Sequence, residues 1–229
     1  MFISANKLKK MYSSSGCFFN IKMGNGVIKC RSYLDIYQND INIDLLDPEA
    51  FIVMMNPGNS KPLFTKNPNE LKIIPEYHIN SPNLLYSLRN TLLIQAKPDT
   101  TQYQIMRLMK HFGWKYVRIL NLSDIRNTKS KEFVREYKKL NNTIHSIFLG
   151  KREKERNALC KGIDKKPVIV AWGVHPELKE LAVAALEKLP SHIKGLQGNK
   201  EYLYYHPLPR GKRTAKDWLD EFIKQIHFI

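Results

Sequence analysis

Four short motifs carry the side chains of this chain that are best suited to chemistry. In chain order they are Asn56-Pro57-Gly58, Asn121, Trp172-Gly173 and His206-Pro207. The side-chain oxygen of Asn56 can hold a water molecule, and the amide of Asn121 offers one acceptor and one donor to a planar base. His206 can donate a hydrogen bond to an oxygen of a departing base. Together these groups suit hydrolysis of an N-glycosidic bond, which passes through an oxocarbenium-like sugar as glycoside hydrolysis does.

The first three motifs each end an apolar run, at 51–55, 116–120 and 168–171. A continuous apolar run closed by turn residues is typical of a buried strand in a parallel sheet. Open α/β sheets bind ligands at the carboxyl ends of such strands, so we expect the motifs to meet at one edge. Each motif alone has a structural alternative: Asn56 as a turn cap, Asn121 as a strand end, Trp172 as core, and His206 as a loop residue held by the backbone.

Helical patterns alternate with these strands. Apolar spacing predicts helices over 100–112, 130–140, 176–189 and 214–226, a charged, solvated helix over 151–163, and short strands at 144–149 and 192–196. This alternation predicts an α/β fold, a three-layer α/β/α sandwich with a mainly parallel central sheet. Asn25-Gly26 between two β-prone runs predicts a hairpin. We expect one domain over 1–229, with 1–47 as an N-terminal hairpin and extension packed on it.

The chain is strongly basic, with 37 Lys and Arg against 21 acidic residues and a net charge of +16 over 229 residues. Such an excess favours a polyanionic partner, and double-stranded DNA is the first candidate. A solvated surface in a lysine-rich proteome is the alternative. An anionic membrane lacks support, because no basic amphipathic helix with an aromatic face is present.

Cysteine usage and hydropathy limit the remaining possibilities. The three cysteines, Cys17, Cys30 and Cys160, are isolated from one another in the sequence. This spacing predicts free thiols, no zinc or iron–sulfur site and no cofactor. We find no apolar run near the ~20 residues of a membrane helix and no signal peptide, so we expect a cytoplasmic protein. We also expect it to be a monomer.

The order of the four motifs resembles that of the uracil-DNA glycosylase superfamily, in the branches whose first motif reads Asn-Pro-Gly. Over more of its length the chain resembles an uncharacterised bacterial family with Asn-Pro, Asn-Leu, Trp-Gly and His-Pro-Leu motifs. The first resemblance implies a uracil-DNA glycosylase-like fold and a DNA glycosylase that flips a base out of the duplex. The second implies no activity by itself.

The glycosylase resemblance also implies roles for individual residues. The catalytic residues would be Asn56 and His206. The base-binding residues would be Pro57, Gly58, Asn121 and Trp172, with Phe64 or Tyr77 of the Asn- and Pro-rich loop at 59–82 as an aromatic platform. The DNA-binding residues would be Arg210, Lys212 and Arg213, in the loop after the His-Pro motif.

Two departures from the superfamily pattern affect the expected substrate. Met55 stands where glycine usually begins the first motif, and Leu208 stands where serine usually follows proline in the last. We therefore expect a modified or mismatched pyrimidine, including modified bases of phage DNA, which would serve antiviral defence. Two alternatives stay open: a non-catalytic nucleic-acid-binding module on the same fold, and an enzyme acting on a free nucleoside or nucleotide.

Overall fold

A computed structural model describes residues 2–23, 25–63, 71–74, 93–140, 144–209, 211 and 213–228. Eight strands within these ranges form one sheet: β1 (Tyr12–Met23), β2 (Gly26–Gln38), β3 (Ala50–Met54), β4 (Lys61–Pro62), β5 (Lys72–Ile74), β6 (Ile94–Lys97), β7 (Tyr116–Asn121) and β8 (Val168–Val170). Six α-helices in the same ranges are α1 (Ala5–Lys9), α2 (Thr100–Phe112), α3 (Ser130–Lys139), α4 (Glu153–Leu159), α5 (Lys179–Leu186) and α6 (Ala215–Gln225). The strand order is β4-β6-β1-β2-β7-β3-β8, with β5 beside β1.

The N-terminal hairpin lies within the sheet. β1 and β2 pair antiparallel from Tyr12 opposite Gln38 to Met23 opposite Gly26, which confirms the hairpin predicted around Asn25-Gly26. The other side of β2 pairs antiparallel with β7. The hairpin therefore joins β6 to the strands that carry the predicted motifs, and it supplies two of the central strands.

Three strands run parallel in the part of the sheet that carries the motifs. β3 pairs in parallel with β7 on one side and with β8 on the other, and a single parallel bridge joins Ile169 to Lys194 beyond β8. After β3 the chain forms β4, β5 and β6 in the far part of the sheet before it returns as β7 on one side of β3, and β8 then lies on the other side of β3. The carboxyl ends of all three strands lie at the same edge of the sheet, as the apolar runs predicted.

The sheet as a whole is mixed and mostly antiparallel, so the prediction of a mainly parallel sheet is wrong. Four of the seven strand pairs are antiparallel. The difference comes from β1, whose first half reads Ser13-Ser14-Ser15 and lacks the apolar alternation that marks a strand. Ser14 and Ser15 are nevertheless buried, because β1 lies between β2 and β6 and brings its hydroxyl groups into the interior.

Helices cover both faces of the sheet, and β3 shows which side chains face which layer. Ile52 belongs to a core cluster that includes Trp218 of α6 and apolar residues of α2. The next residue, Val53, belongs to a second cluster that includes Phe133 of α3 and apolar residues of α5. Successive strand side chains point to opposite faces, so the two clusters lie on opposite sides of the sheet.

The amphipathic helices predicted from spacing are confirmed, with small differences in length. α2 shows the cause most clearly: the Asp99 side chain accepts hydrogen bonds from the backbone N–H groups of Thr101 and Gln102, and Gly113 ends the helix with a φ of 75°. Among the described residues, no helix combines the length and the apolar character needed to cross a lipid bilayer.

Two segments differ from their predictions because polar groups are buried in them. Residues 144–149 form turns, not the predicted strand, and His145 and Ser146 there are buried. The charged segment 151–163 does contain a helix, α4, but Glu155 of this helix is buried and bonded to Arg152. The spacing of charges along the sequence predicts a solvated helix. It cannot show the burial, because Ser32 and Asp124, which also bond to Glu155 and Arg152, come from distant parts of the chain.

Candidate functional site

A cavity of about 830 Å³ opens at the carboxyl edge of β3 and β8. Three of the four predicted motifs contribute to its lining, through Asn56-Pro57-Gly58, Gly173 and His206. The lining also contains Lys9, Arg31, Lys97, Asp99, Tyr103 and Tyr205, none of which the sequence motifs singled out. The topology explains the position, since ligands of open α/β sheets bind where the chain reverses its strand order, and that reversal occurs at β3.

The amide of Asn56 is held in one orientation. Its Nδ2 donates hydrogen bonds to the backbone carbonyls of Ile125, at 3.1 Å, and Asn127, at 2.7 Å. Both carbonyls belong to the segment that follows β7. Because the amide nitrogen is committed to them, Oδ1 is the group of Asn56 that can accept a hydrogen bond from a ligand or a water.

Gly58 brings the first motif against the start of α2. Its φ is 60°, in the left-handed region that favours glycine. A Cβ at this position would lie 3.4 Å from Oδ2 of Asp99, the residue that caps α2. The loop after β3 and the first turn of α2 therefore form adjoining parts of the cavity wall.

The third and fourth motifs are neighbours in space. The backbone N–H of Gly173 donates to the carbonyl of Tyr204 at 2.7 Å. Gly173 has a φ of 103°, and a Cβ on it would lie 3.9 Å from Cβ of His206. Nδ1 of His206 accepts a hydrogen bond from the N–H of Leu208 at 3.1 Å. The carbonyl oxygen of Leu208 lies 3.4 Å from the same Nδ1, a contact in which Nδ1 would be the donor. Because the contact with the N–H is shorter, we assign Nδ1 as the acceptor and the ring hydrogen to Nε2.

Trp172 and Asn121 do not line the cavity. The Trp172 side chain is buried in the core, donates its indole N–H to the carbonyl of Tyr202 at 2.8 Å and meets the ring of Tyr204 edge to face. Asn121 is also fully buried, opposite Met54 in the parallel pair of β3 and β7. Among the residues that the structure describes, none forms a hydrogen bond with either polar atom of the Asn121 side chain.

The remaining predicted site residues fall into two groups. Arg213 pairs with Glu221 at 3.1 Å, and its guanidinium carbon lies 4.2 Å from the ring centroid of Tyr205, which lines the cavity. Arg213 therefore supports the cavity wall from behind. Four predicted residues, Phe64, Tyr77, Arg210 and Lys212, lie outside the described residues.

Arg31 is the most unusual group of the cavity lining. The residue is only 2% exposed, and in the part of the chain that the structure describes neither Nε nor Nη1 has a hydrogen-bond partner. No ion pair of the described residues includes its guanidinium, although the charge of Asp99 acts on it from a distance. Burial lowers the pKa of Arg31 to about 10, so the group is still charged near neutral pH.

A β-bulge places Arg31 on the cavity side of the sheet. Gly16 pairs with Leu34, but the next pair in the ladder is Phe18 with Arg31, so β2 has one extra residue at this point. A bulge of this kind changes the face to which a side chain points. Arg31 therefore shares a face with Leu34 and Phe18, which belong to the same core cluster.

A buried polar network holds the opposite side of the bulge. Ser32 donates its hydroxyl to Oε1 of Glu155 at 2.6 Å, and Nη2 of Arg152 donates to Oγ of Ser32 at 3.0 Å. Arg152 also forms ion pairs with Glu155 and Asp124. The backbone N–H of Arg31 donates to the carbonyl of Asp124 at 2.8 Å, so the network fixes the backbone that carries Arg31.

Sequence reasoning missed Arg31, Lys97, Tyr103 and Tyr205 for identifiable reasons. Arg31 stands in a strand whose alternation would place it with Tyr33 and Asp35. The bulge that reverses its direction has no glycine or proline on β2 itself, and Gly16 opposite it on β1 does not indicate which residue of β2 is displaced. Tyr103 fits the apolar face of α2 and reads as core. Only Lys97-Pro98-Asp99 had a usable signal, because a helix cap directly after a strand marks a carboxyl end of the sheet.

Comparisons with known proteins identify a family but no activity. Residues 91–208, about half of the chain, match the model of a family described as a protein of unknown function, DUF1643. The chain belongs to that family. The matched segment contains Asn121-Leu122, Trp172-Gly173 and His206-Pro207-Leu208, whereas Asn56-Pro57-Gly58 precedes it. Neither the curated proteins nor the solved structures contain a match.

Proposed function

We propose that the protein is a DNA glycosylase that excises a flipped base at the cavity and leaves an abasic site. The observation that carries the proposal is the convergence of Asn56-Pro57-Gly58, Gly173 and His206 on one cavity of about 830 Å³. The proposed base is a modified or mismatched pyrimidine, and phage DNA is a source of such bases. The proposed fold is the three-layer, uracil-DNA glycosylase-like sandwich, which the helices on both faces of the sheet support.

The reaction assigns one role to Asn56. A water oxygen forms a bond to C1′ of the sugar, the bond from C1′ to the base nitrogen breaks, and its electron pair leaves with the base. Oδ1 of Asn56 holds the attacking water, because Nδ2 is committed to two backbone carbonyls. An amide is a weak base, so the water gives up its proton only after attack. The proton goes to the departing base anion or to solvent water, and turnover is slow.

The departing base carries negative charge, and His206 is the proposed hydrogen-bond donor to it. The role uses the tautomer assigned from the shorter of the two contacts at Nδ1, in which the N–H of Leu208 donates to Nδ1 and the ring hydrogen is on Nε2. A donor directed at developing charge inside a cavity stabilises the transition state more than the ground state. This role requires no change in the charge of the histidine.

The sequence predicts the aromatic platform at Phe64 or Tyr77, and both lie outside the described residues. Trp172, predicted to bind the base, is buried in the core and does not line the cavity. Tyr103 and Tyr205 line the cavity, and Arg213 packs on the ring of Tyr205. We therefore propose Tyr205 as the platform and Arg213 as its support. Asn121 is buried and does not line the cavity, so we do not propose it as a base-binding residue.

The proposal is tested by base release from defined DNA. Wild type, Asn56→Ala and the control Asn42→Ala, in an exposed turn, are incubated with duplexes containing uracil, mismatched thymine or modified cytosines, and with phage genomic DNA. Abasic sites are then counted with an aldehyde-reactive probe. We expect wild type and Asn42→Ala to make abasic sites on at least one DNA, and Asn56→Ala to make at least about 100-fold fewer.

Binding of the same DNA separates the proposal from its alternative. Asn56→Ala should bind DNA as wild type does, because the residue acts on the water. Abasic sites that form equally with Asn56→Ala would refute the assignment. No abasic sites on any DNA, with salt-sensitive binding intact in both proteins, would favour a nucleic-acid-binding module without hydrolysis.

A further inference from the structure

The guanidinium of Arg31 is a buried cation that forms no ion pair with any of the described residues. None of the described residues accepts a hydrogen bond from Nε or Nη1, although the residue is 2% exposed and lines the cavity. Buried polar groups are normally paired, and an unpaired buried charge is especially costly. Since the bulge and the network behind it hold Arg31 in this position, a ligand is the simplest partner for the group.

The charges around Arg31 favour an anion with more than one negative charge. Lys9, Lys97 and Arg31 line the cavity, and Asp99 is the one acidic residue among the lining residues that the structure describes. The lining therefore carries a net charge of +2, from three cations and one anion. Asp99 itself is engaged as the cap of α2, where its Oδ1 accepts two backbone hydrogen bonds.

We propose that Arg31 is the phosphate-binding group of the cavity, and that the cavity takes a phosphate-bearing ligand of nucleotide size. A guanidinium offers only donors, in a planar fork that matches two oxygens of one phosphate. The volume of about 830 Å³ is far larger than an inorganic phosphate needs, and Tyr103 and Tyr205 provide ring surfaces for a base. The phosphate comes either from a free nucleotide or from a nucleotide unit of a DNA strand.

This inference concerns binding and goes beyond the proposed hydrolysis. It assigns the phosphate to Arg31, whereas base release depends on Asn56 and His206. Its failure would leave the glycosylase proposal standing, and a protein that cuts no base would still show the binding described here.

The test uses calorimetric binding of defined probes to wild type, Arg31→Met, Arg31→Lys and the control Arg135→Met. Arg135 is exposed on α3 and does not line the cavity. The probes are thymidine, thymidine monophosphate, inorganic pyrophosphate and a single-stranded thymidine oligonucleotide. We expect a phosphate-bearing probe to bind wild type and Arg135→Met alike, Arg31→Met to bind it at least about 10-fold more weakly, and Arg31→Lys to lie between them.

Each outcome decides. Binding of thymidine monophosphate that is lost in Arg31→Met supports the proposal with a free nucleotide as the source. Binding of the oligonucleotide alone, also lost in Arg31→Met, supports it with DNA as the source. The proposal is overturned if thymidine binds as tightly as its monophosphate, if Arg31→Met binds every probe like wild type, or if wild type binds no probe. Loss of thermal stability in Arg31→Met would be recorded separately by its unfolding temperature.

Discussion

Two buried arginines, Arg31 and Arg152, lie on opposite sides of the same bulge in β2. They differ in the number of hydrogen bonds and ion pairs that their guanidinium groups form. Arg152 is 1% exposed and bonds to Glu155, Asp124 and Ser32. Arg31 is 2% exposed, and no described residue accepts a hydrogen bond from its Nε or Nη1. A charge that the chain pairs internally contributes to the fold, whereas a charge that it buries without a partner is a cost that a ligand can offset.

The largest change in the free energy of unfolding should come from breaking the ion pairs of Arg152. Arg152→Met leaves Glu155 and Asp124 buried without their cation, so we expect the free energy of unfolding to fall by about 3–5 kcal/mol. Arg31→Met makes the same chemical change on the other side of the bulge but removes an unpaired charge. Its unfolding free energy should stay within about 1 kcal/mol of wild type or rise.

Urea unfolding of the two variants, followed by circular dichroism, checks this contrast. Equal destabilisation by both substitutions would show that Arg31 has a structural partner that its geometry does not reveal. If neither substitution changed the free energy of unfolding, the ion pairs of Arg152 would not stabilise the fold and the contrast between the two arginines would be wrong.

A second, somewhat smaller effect concerns His145, which lies close to Arg152. Burial and then the charge of Arg152 lower the pKa of His145 from 6.5 to about 4. As the pH falls, His145 is therefore protonated in the unfolded chain before it is protonated in the folded protein. The stability that neutral His145 contributes is present above pH 6.5 and lost as the pH falls toward 4. The loss amounts to about 3 kcal/mol over this window.

The measurement is the difference in unfolding free energy between wild type and His145→Gln as a function of pH. The difference is needed because burial raises the pKa of Asp124 to about 7, which contributes a slope of the opposite sign over an overlapping window. We expect the advantage of wild type over His145→Gln to shrink as the pH falls from 6.5 to 4. A difference that is independent of pH would mean that His145 is not held neutral.

The smallest expected changes in the free energy of unfolding come from substitutions of two asparagines, Asn56 and Asn121. Asn121→Leu replaces a buried amide that has no partners, so we expect the free energy of unfolding to rise by about 1 kcal/mol. Asn56→Leu removes the donor to two backbone carbonyls and should lower it by about 1–2 kcal/mol. Thermal unfolding of both variants would measure these opposite signs. Destabilisation by Asn121→Leu would indicate that an ordered water already satisfies its amide.

The sequence predicted well those parts of the fold that rest on short-range pattern. The apolar runs before Asn56, Asn121 and Trp172 correspond to β3, β7 and β8, and the cap at Asp99 marks the start of α2. Each of these signals lies within one segment of chain. The expectation that the first and third motifs meet at one edge followed from a general property of open α/β sheets, whereas the position of His206 was implied only by the resemblance.

Features that depend on distant partners could not be predicted in this way. Ser32 and Glu155 are 123 positions apart in the sequence, and their hydrogen bond makes a charged helix partly buried. The bulge that directs Arg31 into the cavity is a matter of register between β1 and β2, and no residue type at Ser32 or Tyr33 requires it. The sequence allowed two interpretations of Trp172, a base-binding residue or a core residue. The structure shows a core side chain whose indole N–H donates to a backbone carbonyl.

The most direct test of the contrast between the two arginines is an NMR spectrum of the arginine Nε–H groups, assigned with Arg31→Met and Arg152→Met. Buried Nε–H groups exchange slowly enough with water to be observed. On saturation with thymidine monophosphate or the thymidine oligonucleotide, whichever binds wild type more tightly, the signal of Arg31 should shift and that of Arg152 should not. An unchanged Arg31 signal at saturation would contradict the assignment of Arg31 to ligand binding.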